Sequence, residues 1–321
     1  VMSKDIELDN IVLRKLIESD VPQILDIWRE NNLYEGLYTI QTFATCDPDG
    51  FYVAYDLNEG KLDIYALDFF PFITKKVIGA CAGPKSNENI AFIGLYCIHK
   101  DYQGLGLGLK LFKKIREHLG DDINIGLGAV PSQINTYKEK AGFQVEDIHR
   151  MVVFEGKAYG SEQLTQEIDG IFVQPINDTI TERVIEYDAG ITKYRRDQIL
   201  RLTFNEPMSI AMAAIRIADD TIAGFGCLKS SNIDEVINGP LYADTSSIAE
   251  LLMHNLLHSF HSALENGLIY FALNGTPDSS KLAEKLGLIR KEEVPRLFTK
   301  AIPDADVSRI YSILTPNFSP F

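Results

Sequence analysis

The sequence predicts an α/β chain in which one mixed domain occurs twice. Three observations carry that reading. Ala91 to Ile98 is apolar and aromatic enough for a buried strand, a glycine-rich bend follows it, and Leu109 to Leu119 then reads as an amphipathic helix. The endings of the two halves match: Tyr137-Lys138-Glu139-Lys140-Ala141-Gly142-Phe143 in one, Leu282-Ala283-Glu284-Lys285-Leu286-Gly287-Leu288 in the other. Between the halves, Glu155 to Thr181 turns polar, with Gly156, Gly160, Gly170 and Pro175 and weak periodicity. It reads as a linker carrying at most one short helix from Ser161. At 321 residues the chain suits two ordinary domains. The boundaries expected are 1–155, a linker over 156–180, and 181–321.

The elements of the first half follow in order. Val12 to Lys15 is a strand. Ser19 and Asp20 ahead of Pro22 mark a helix start, and Ile24, Leu25, Ile27 and Trp28 give that helix an apolar face. Asn31 to Gly50 holds turn formers and a second short helix. Strands are expected at Phe51 to Tyr55, Lys76 to Ala82 and Asn89 to Ile98, the second stopped by Gly83 and Pro84. Ile123 to Val130 is another strand. Gln133 to Ala141 is helical and closed by Gly142, and Phe143 to Phe154 alternates as a final strand or hairpin. In the second half, Arg183 to Tyr187 reads as a strand and Tyr194 to Leu202 as a helix. Strands follow at Ser209 to Ile217 and Thr221 to Leu228. A helix runs from Ser246 to Glu265, a strand from Leu268 to Leu273, and a helix from Ser279 to Leu286.

Composition narrows the partners. The net charge of −14 argues against a nucleic-acid surface and suits a cationic or amine partner, although an acidic surplus also serves solubility. No apolar run reaches the ~18 residues of a membrane span, so no membrane partner is expected. Residues 1–5 turn polar at once, without a signal-peptide pattern. Cys46, Cys81, Cys97 and Cys227 are widely spaced and read as free thiols of a cytoplasmic protein. His254, His258 and His261 share a helix, but no carboxylate or Cys is spaced to complete a metal site, so no metal is expected.

The bend carries the chemistry. A dinucleotide fingerprint starting at Gly104 would need glycine where Leu109 stands, and a Walker loop would need Gly-Lys-Ser/Thr. What remains is Q-x-x-G-x-G, formed by Gln103, Gly106 and Gly108 between a strand and a helix N-terminus, where backbone N–H groups converge on an anion. This spacing, within the stretch from Ile98 to Gly108, resembles the pyrophosphate motif of the GNAT (Gcn5-related) N-acetyltransferases. The resemblance covers residues 10 to 155. A second GNAT-like domain is expected over 180 to 302, where Gly239 to Thr245 before a long helix is similar to a two-domain, YitH-like subgroup with nematode members.

The resemblance implies tandem GNAT-like domains, each a mixed, mostly antiparallel central sheet flanked by helices. It implies an acyltransferase with acetyl-CoA as cosubstrate and a small-molecule or peptide amine as acceptor. The alternative is a non-catalytic CoA-binding sensor or scaffold of the same fold. The pyrophosphate would meet Gln103, Gly104, Leu105, Gly106, Leu107, Gly108 and Leu109, with Lys110, Lys113 and Lys114 as local cations. The pantetheine arm would pair with Tyr96, Cys97 and Ile98, as an added strand does. Asn135 would contact CoA or cap its helix. In the family a Tyr on the helix after the fifth strand often protonates the leaving thiolate. Counted back from Gly142-Phe143, Tyr137 stands one residue before that place and Lys138 occupies it. His99 is expected to face solvent near the bend, and Glu35, Asp47 and Asp49 lie in the segment that often walls the acceptor pocket. The second half has no glycine bend, and Asp244 puts an anion where a pyrophosphate would sit.

Overall fold

A computed structural model describes residues 8–62 and 73–321. The polar opening at residues 1–5 lies outside the described residues. The first half runs β1 (Ile11–Lys15), α1 (Val21–Glu30), α2 (Thr39–Cys46), β2 (Phe51–Leu62), β3 (Ile73–Ala82), β4 (Ile90–Ile98), α3 (Leu107–Leu119), β5 (Asn124–Gly128), α4 (Ile134–Ala141), β6 (Val145–Glu146) and β7 (Met151–Gly156). The second runs β8 (Ile171–Pro175), α5 (Thr181–Thr192), α6 (Asp197–Thr203), β9 (Ser209–Arg216), β10 (Ile222–Ser230), β11 (Val236–Ala243), α7 (Ser246–Ser259), α8 (Ser262–Glu265), β12 (Leu268–Leu273), α9 (Pro277–Lys285), β13 (Ile289–Val294), β14 (Arg296–Phe298) and β15 (Ile310–Ser312).

Among the described residues the strands form two mixed sheets. The first has seven strands in the order β1-β2-β3-β4-β5-β14-β6; the second has eight in the order β13-β7-β12-β15-β11-β10-β9-β8. The sheets exchange strands. β7, expected to close the first sheet, lies between β12 and β13 in the second, with Met151 opposite both Leu273 and Val294. In return β14 enters the first sheet between β5 and β6, with Leu297 opposite both Leu127 and Glu146.

Three expectations are corrected here. Arg183 to Tyr187 is helix, not strand: Thr181, Val184, Ile185, Asp188, Ile191 and Thr192 are the buried positions of α5, a spacing near 3.6 that the short Val184-Ile185 pair conceals. The strand that opens the second half is β8, inside the stretch read as linker. The helix expected over Ser246 to Glu265 ends at Ser259 and resumes as α8.

One apolar core serves both halves. Ile24, Phe43 and Phe51 share it with Ile191, Phe204, Phe271 and Phe318. Buried polar links run through it. Lys229 is 3.2 Å from Glu206, which accepts from Thr42 (2.7 Å) and Thr39 (3.3 Å) on α2. Arg196 forms a fork on Asp188 (2.6 and 3.0 Å) and also donates to Ser319, the Phe321 carbonyl and the Tyr242 hydroxyl; both charged side chains are almost fully buried. Such groups are tolerated inside only because each finds partners.

Candidate active site

β4 and β5 pair in parallel only from Ile90 to Ile93, opposite Asn124 to Leu127. Beyond Ile93 the two strands part. The cause is a bulge: β4 takes three steps from Gly94 to Cys97 while β3 takes two from Ala82 to Ala80. Leu95 sits in it with φ at 50°, a left-handed conformation uncommon for a branched side chain. The bulge also reverses the pleat. Ala91 and Ile93 pack with α3, whereas Leu95 and Cys97 pack in the core shared by both halves.

Past the bulge, the Cys97 main chain is registered on Ala80, and the Ile98 carbonyl accepts one N–H of the Gln103 carboxamide at 3.0 Å. By alternation the Tyr96 main chain faces the open edge. The Tyr96 side chain lies over the first turn of α3, where its hydroxyl approaches Gly108 so closely that a Cβ there would stand 2.3 Å from it. Burial pushes the Cys97 thiol up to about 12, against the pull of neighbouring Trp28, which leaves it protonated and unsuited to nucleophilic attack.

The bend itself is an open donor array. Gly104 and Gly106 have φ of 80° and 75°, and nothing lies within 4 Å of a Cβ built on either. Gly106 is the residue before α3, and Lys110 is the first to bond back, to the Gly106 carbonyl at 3.2 Å. Among the described residues the six amides from Gly104 to Leu109 donate to nothing. Six N–H groups around a helix N-terminus fit a pyrophosphate, and the glycines leave the approach clear. Lys110 and Lys113 are exposed beside them, while Lys114 is tied to Glu117 at 2.8 Å.

Tyr137, on α4, packs edge-on to Phe143 with ring centroids 6.2 Å apart, and Phe143 leads through Phe112 to Tyr96. Burial raises the Tyr137 pKa, and its hydroxyl has no hydrogen-bond partner among the described residues. Lys138 is engaged elsewhere, 2.7 Å from Glu146. Asn135 is exposed at the second position of α4, and Gln133, not Asn135, is the residue before the helix. His99 is corrected: rather than facing solvent, its side chain is 11% exposed, caps a short turn by accepting from the Asp101 amide, and stacks edge-on to Tyr102. Burial lowers its pKa.

On the far side of the splay lies a cavity of about 190 Å³. The first half contributes Trp28, Tyr34, Gly128, Val130 and Pro131, and β7 adds Met151 and Val153. The second half contributes Phe271, Glu292, Val294, Pro316 and Asn317. Sequence reasoning missed this cavity, because its walls come from stretches up to about 290 residues apart and no local pattern joins them. Glu35 holds it together. Its buried carboxylate accepts from Thr315 (2.6 Å), Asn317 (2.8 Å) and the Gly36 amide (2.8 Å). It was read only as one of three loop acids near the pocket. The other two stand apart from the cavity: Asp47 binds His118 at 2.9 Å, and Asp49 is an exposed partner of Lys15.

The tail that brings Asn317 here also lies against β4. A Cβ on Gly94 would stand 2.1 Å from the Asn317 carbonyl. A Gly94→Ala chain is therefore expected to lose about 1–3 kcal/mol of stability. Urea denaturation checks this; an unchanged midpoint would mean that the tail yields freely.

The second sheet has the matching splay, but filled. β11 pairs with β12 in parallel only from Val236 to Asn238, and β15 enters next to it, opposite Leu241 and Tyr242. The start of α7 is capped by Thr245, and Asp244 before it is held by Arg216, Arg309 and Tyr187. An internal carboxylate and its arginines thus stand where the first half has bare amides.

A mixed sheet splayed at a bulge, with an open amide turn leading into a helix, defines the acetyltransferase fold of this chain. Residues 23–143 match the acetyltransferase (GNAT) family, and residues 184–312 match an acetyltransferase (GNAT) domain. The chain belongs to the GNAT superfamily, with one such domain in each half. An uncharacterized protein of Caenorhabditis elegans is 25% identical over 168 residues, which span 50% of this chain and 53% of that protein. The match thus covers about half the length of that curated relative. A putative acetyltransferase from Pyrococcus horikoshii superposes over 99% of both chains with a TM-score of 0.70 at 18% identity. A tandem GNAT protein from the clavulanic acid biosynthesis pathway covers 92% of this chain and 99% of its own, at a TM-score of 0.58 and 12% identity. Saccharomyces cerevisiae N-myristoyltransferase covers 98% of this chain and 86% of its own, at 0.62 and 10%. These structures share the fold. Among the described residues no helix is long and apolar enough to cross a membrane, and no three His, Cys, Asp or Glu side chains converge to hold a metal ion.

Proposed function

We propose that the chain is an acetyl-CoA-dependent N-acetyltransferase that moves an acetyl group directly onto a primary amine. The observation that carries this is the run of six open amides from Gly104 to Leu109 beside a splayed strand pair, with a cavity lined in part by Gly128 at the end of β5. In this reading residues 1–155 hold the donor, and residues 181–321, across the 156–180 connection, help wall the acceptor site and keep no donor site of their own. Four free cysteines and a CoA thioester donor suit a cytoplasmic place.

Acetyl-CoA supplies an activated acyl thioester as cosubstrate. The Gly104–Leu109 amides hold its pyrophosphate, the Tyr96 main chain orients its pantetheine arm, and the cavity holds the amine. The amine nitrogen forms a bond to the thioester carbonyl carbon, the carbon–sulfur bond breaks, and the thiolate takes the Tyr137 phenolic proton. Water accepts the proton that the amine sheds and returns one to Tyr137. Tyr137 enters protonated, as a phenol is at neutral pH, and burial raises its pKa further.

A Tyr137→Phe chain is expected to bind CoA and to lose about 10²-fold or more in kcat. Single-turnover thiol release checks it; a kcat within about threefold of the parent removes Tyr137 from the chemistry. For the whole reading, thermal shift with CoA and thiol release with an amine panel suffice. Stabilisation by CoA without turnover on any amine favours a CoA-binding sensor, and no stabilisation by CoA or acetyl-CoA overturns both.

A further inference from the structure

We infer that the acceptor is a diamine, an amine whose reacting nitrogen is joined through an apolar spacer to a second cationic group. The inference rests on the acetyltransferase reading above and names the substrate class of the same site.

β7 and β13 form a graded wall. Met151 is opposite Val294 and Val153 is opposite Glu292. Val294 marks the inner end, because a Cβ on Gly128, at the end of β5, would lie 3.3 Å from it. At ~3.3 Å per residue, Glu292 stands about 7 Å farther out along the same face, and Glu155 about 13 Å. The inner level is apolar. The outer level is acidic: Glu292 is the one charged side chain lining the cavity, it is exposed, and it has neither an ion pair nor a hydrogen bond among the described residues. Glu155 behind it accepts from the Tyr34 hydroxyl at 3.0 Å and lies 3.7 Å from Lys291.

A monoamine bound at the inner end would leave Glu292 unpaired. A diamine fills the span. About 7 Å is about six bonds at the ~1.2 Å per bond of an extended chain. Trp28 and Phe271 would lie along the methylenes, and Tyr34 and Glu292 would take the distal ammonium. The net charge of −14 draws dications to the surface as well.

The test uses the full chain with acetyl-CoA and three acceptors: 1,5-diaminopentane, pentylamine and phenethylamine. The expected result is a kcat/KM for the diamine about two- to fivefold above either monoamine, as one exposed charge pair supplies. Glu292→Gln should bring that ratio to about one, and because Glu292 is exposed its thermal midpoint serves as the check on folding. Equal or better turnover of a monoamine overturns the diamine assignment and leaves the transferase reading standing. No turnover of any amine, with CoA still stabilising the chain, overturns both.

Discussion

A Gly106→Glu chain is expected to bind CoA at least about 100-fold more weakly than the parent, with its fold kept. Two effects add. Gly106 has φ at 75°, and a residue with a side chain costs about 1–2 kcal/mol in that conformation. The new carboxylate would also face the six amides that the donor needs. At a separation of ~5 Å and an effective dielectric of ~20, one charge against one charge of a pyrophosphate costs about 3 kcal/mol. That alone is about 100-fold in affinity. The space above Gly106 is open, so nothing in the core is displaced. Calorimetric titration with CoA measures the loss, and circular dichroism reports the fold. A dissociation constant within tenfold of the parent's, less than about 1.4 kcal/mol, would show that the pyrophosphate lies elsewhere.

The largest effect on stability is expected from Arg196→Ala. The guanidinium forms a two-pronged pair with Asp188, and neither side chain reaches solvent. Truncation leaves the Asp188 charge buried and uncompensated, and it also strips partners from Tyr242, Ser319 and the Phe321 carbonyl. The expected loss is about 3–5 kcal/mol. Removing both charges with Arg196→Met and Asp188→Leu should cost far less, because no orphaned charge remains. Urea denaturation of the two single variants and the double one measures the coupling. A loss below about 1 kcal/mol for Arg196→Ala would mean that water reaches the pair.

What the sequence made legible was local. The glycines at 104, 106 and 108 follow one another between a strand and a helix, so their spacing alone marks an open glycine turn, and the turn stands at the start of α3. The missing turn in the second half was equally readable from Asp244 and its neighbours. The cavity was hidden because it is non-local. Trp28, Phe271, Val294 and Asn317 meet only after both sheets have formed, and none carries a pattern that announces the meeting. Two local signals were outweighed. Val184 and Ile185 look like a strand when read as a pair, and only Asp188, Ile191 and Thr192 restore the helical period. β8 is five residues in a polar stretch, too short and too exposed to outweigh its surroundings before β9 pairs with it.

The strand exchange also sets an order of events during synthesis. The first sheet needs Arg296, Leu297 and Phe298 between β5 and β6, and these are translated about 150 residues after β6. At about 5–20 residues per second the ribosome takes roughly eight to thirty seconds to deliver them. Until then the edge of β5 that β14 covers is unmatched. Neither sheet is complete without a strand from the other half, so a chain cut between the halves leaves each sheet one strand short.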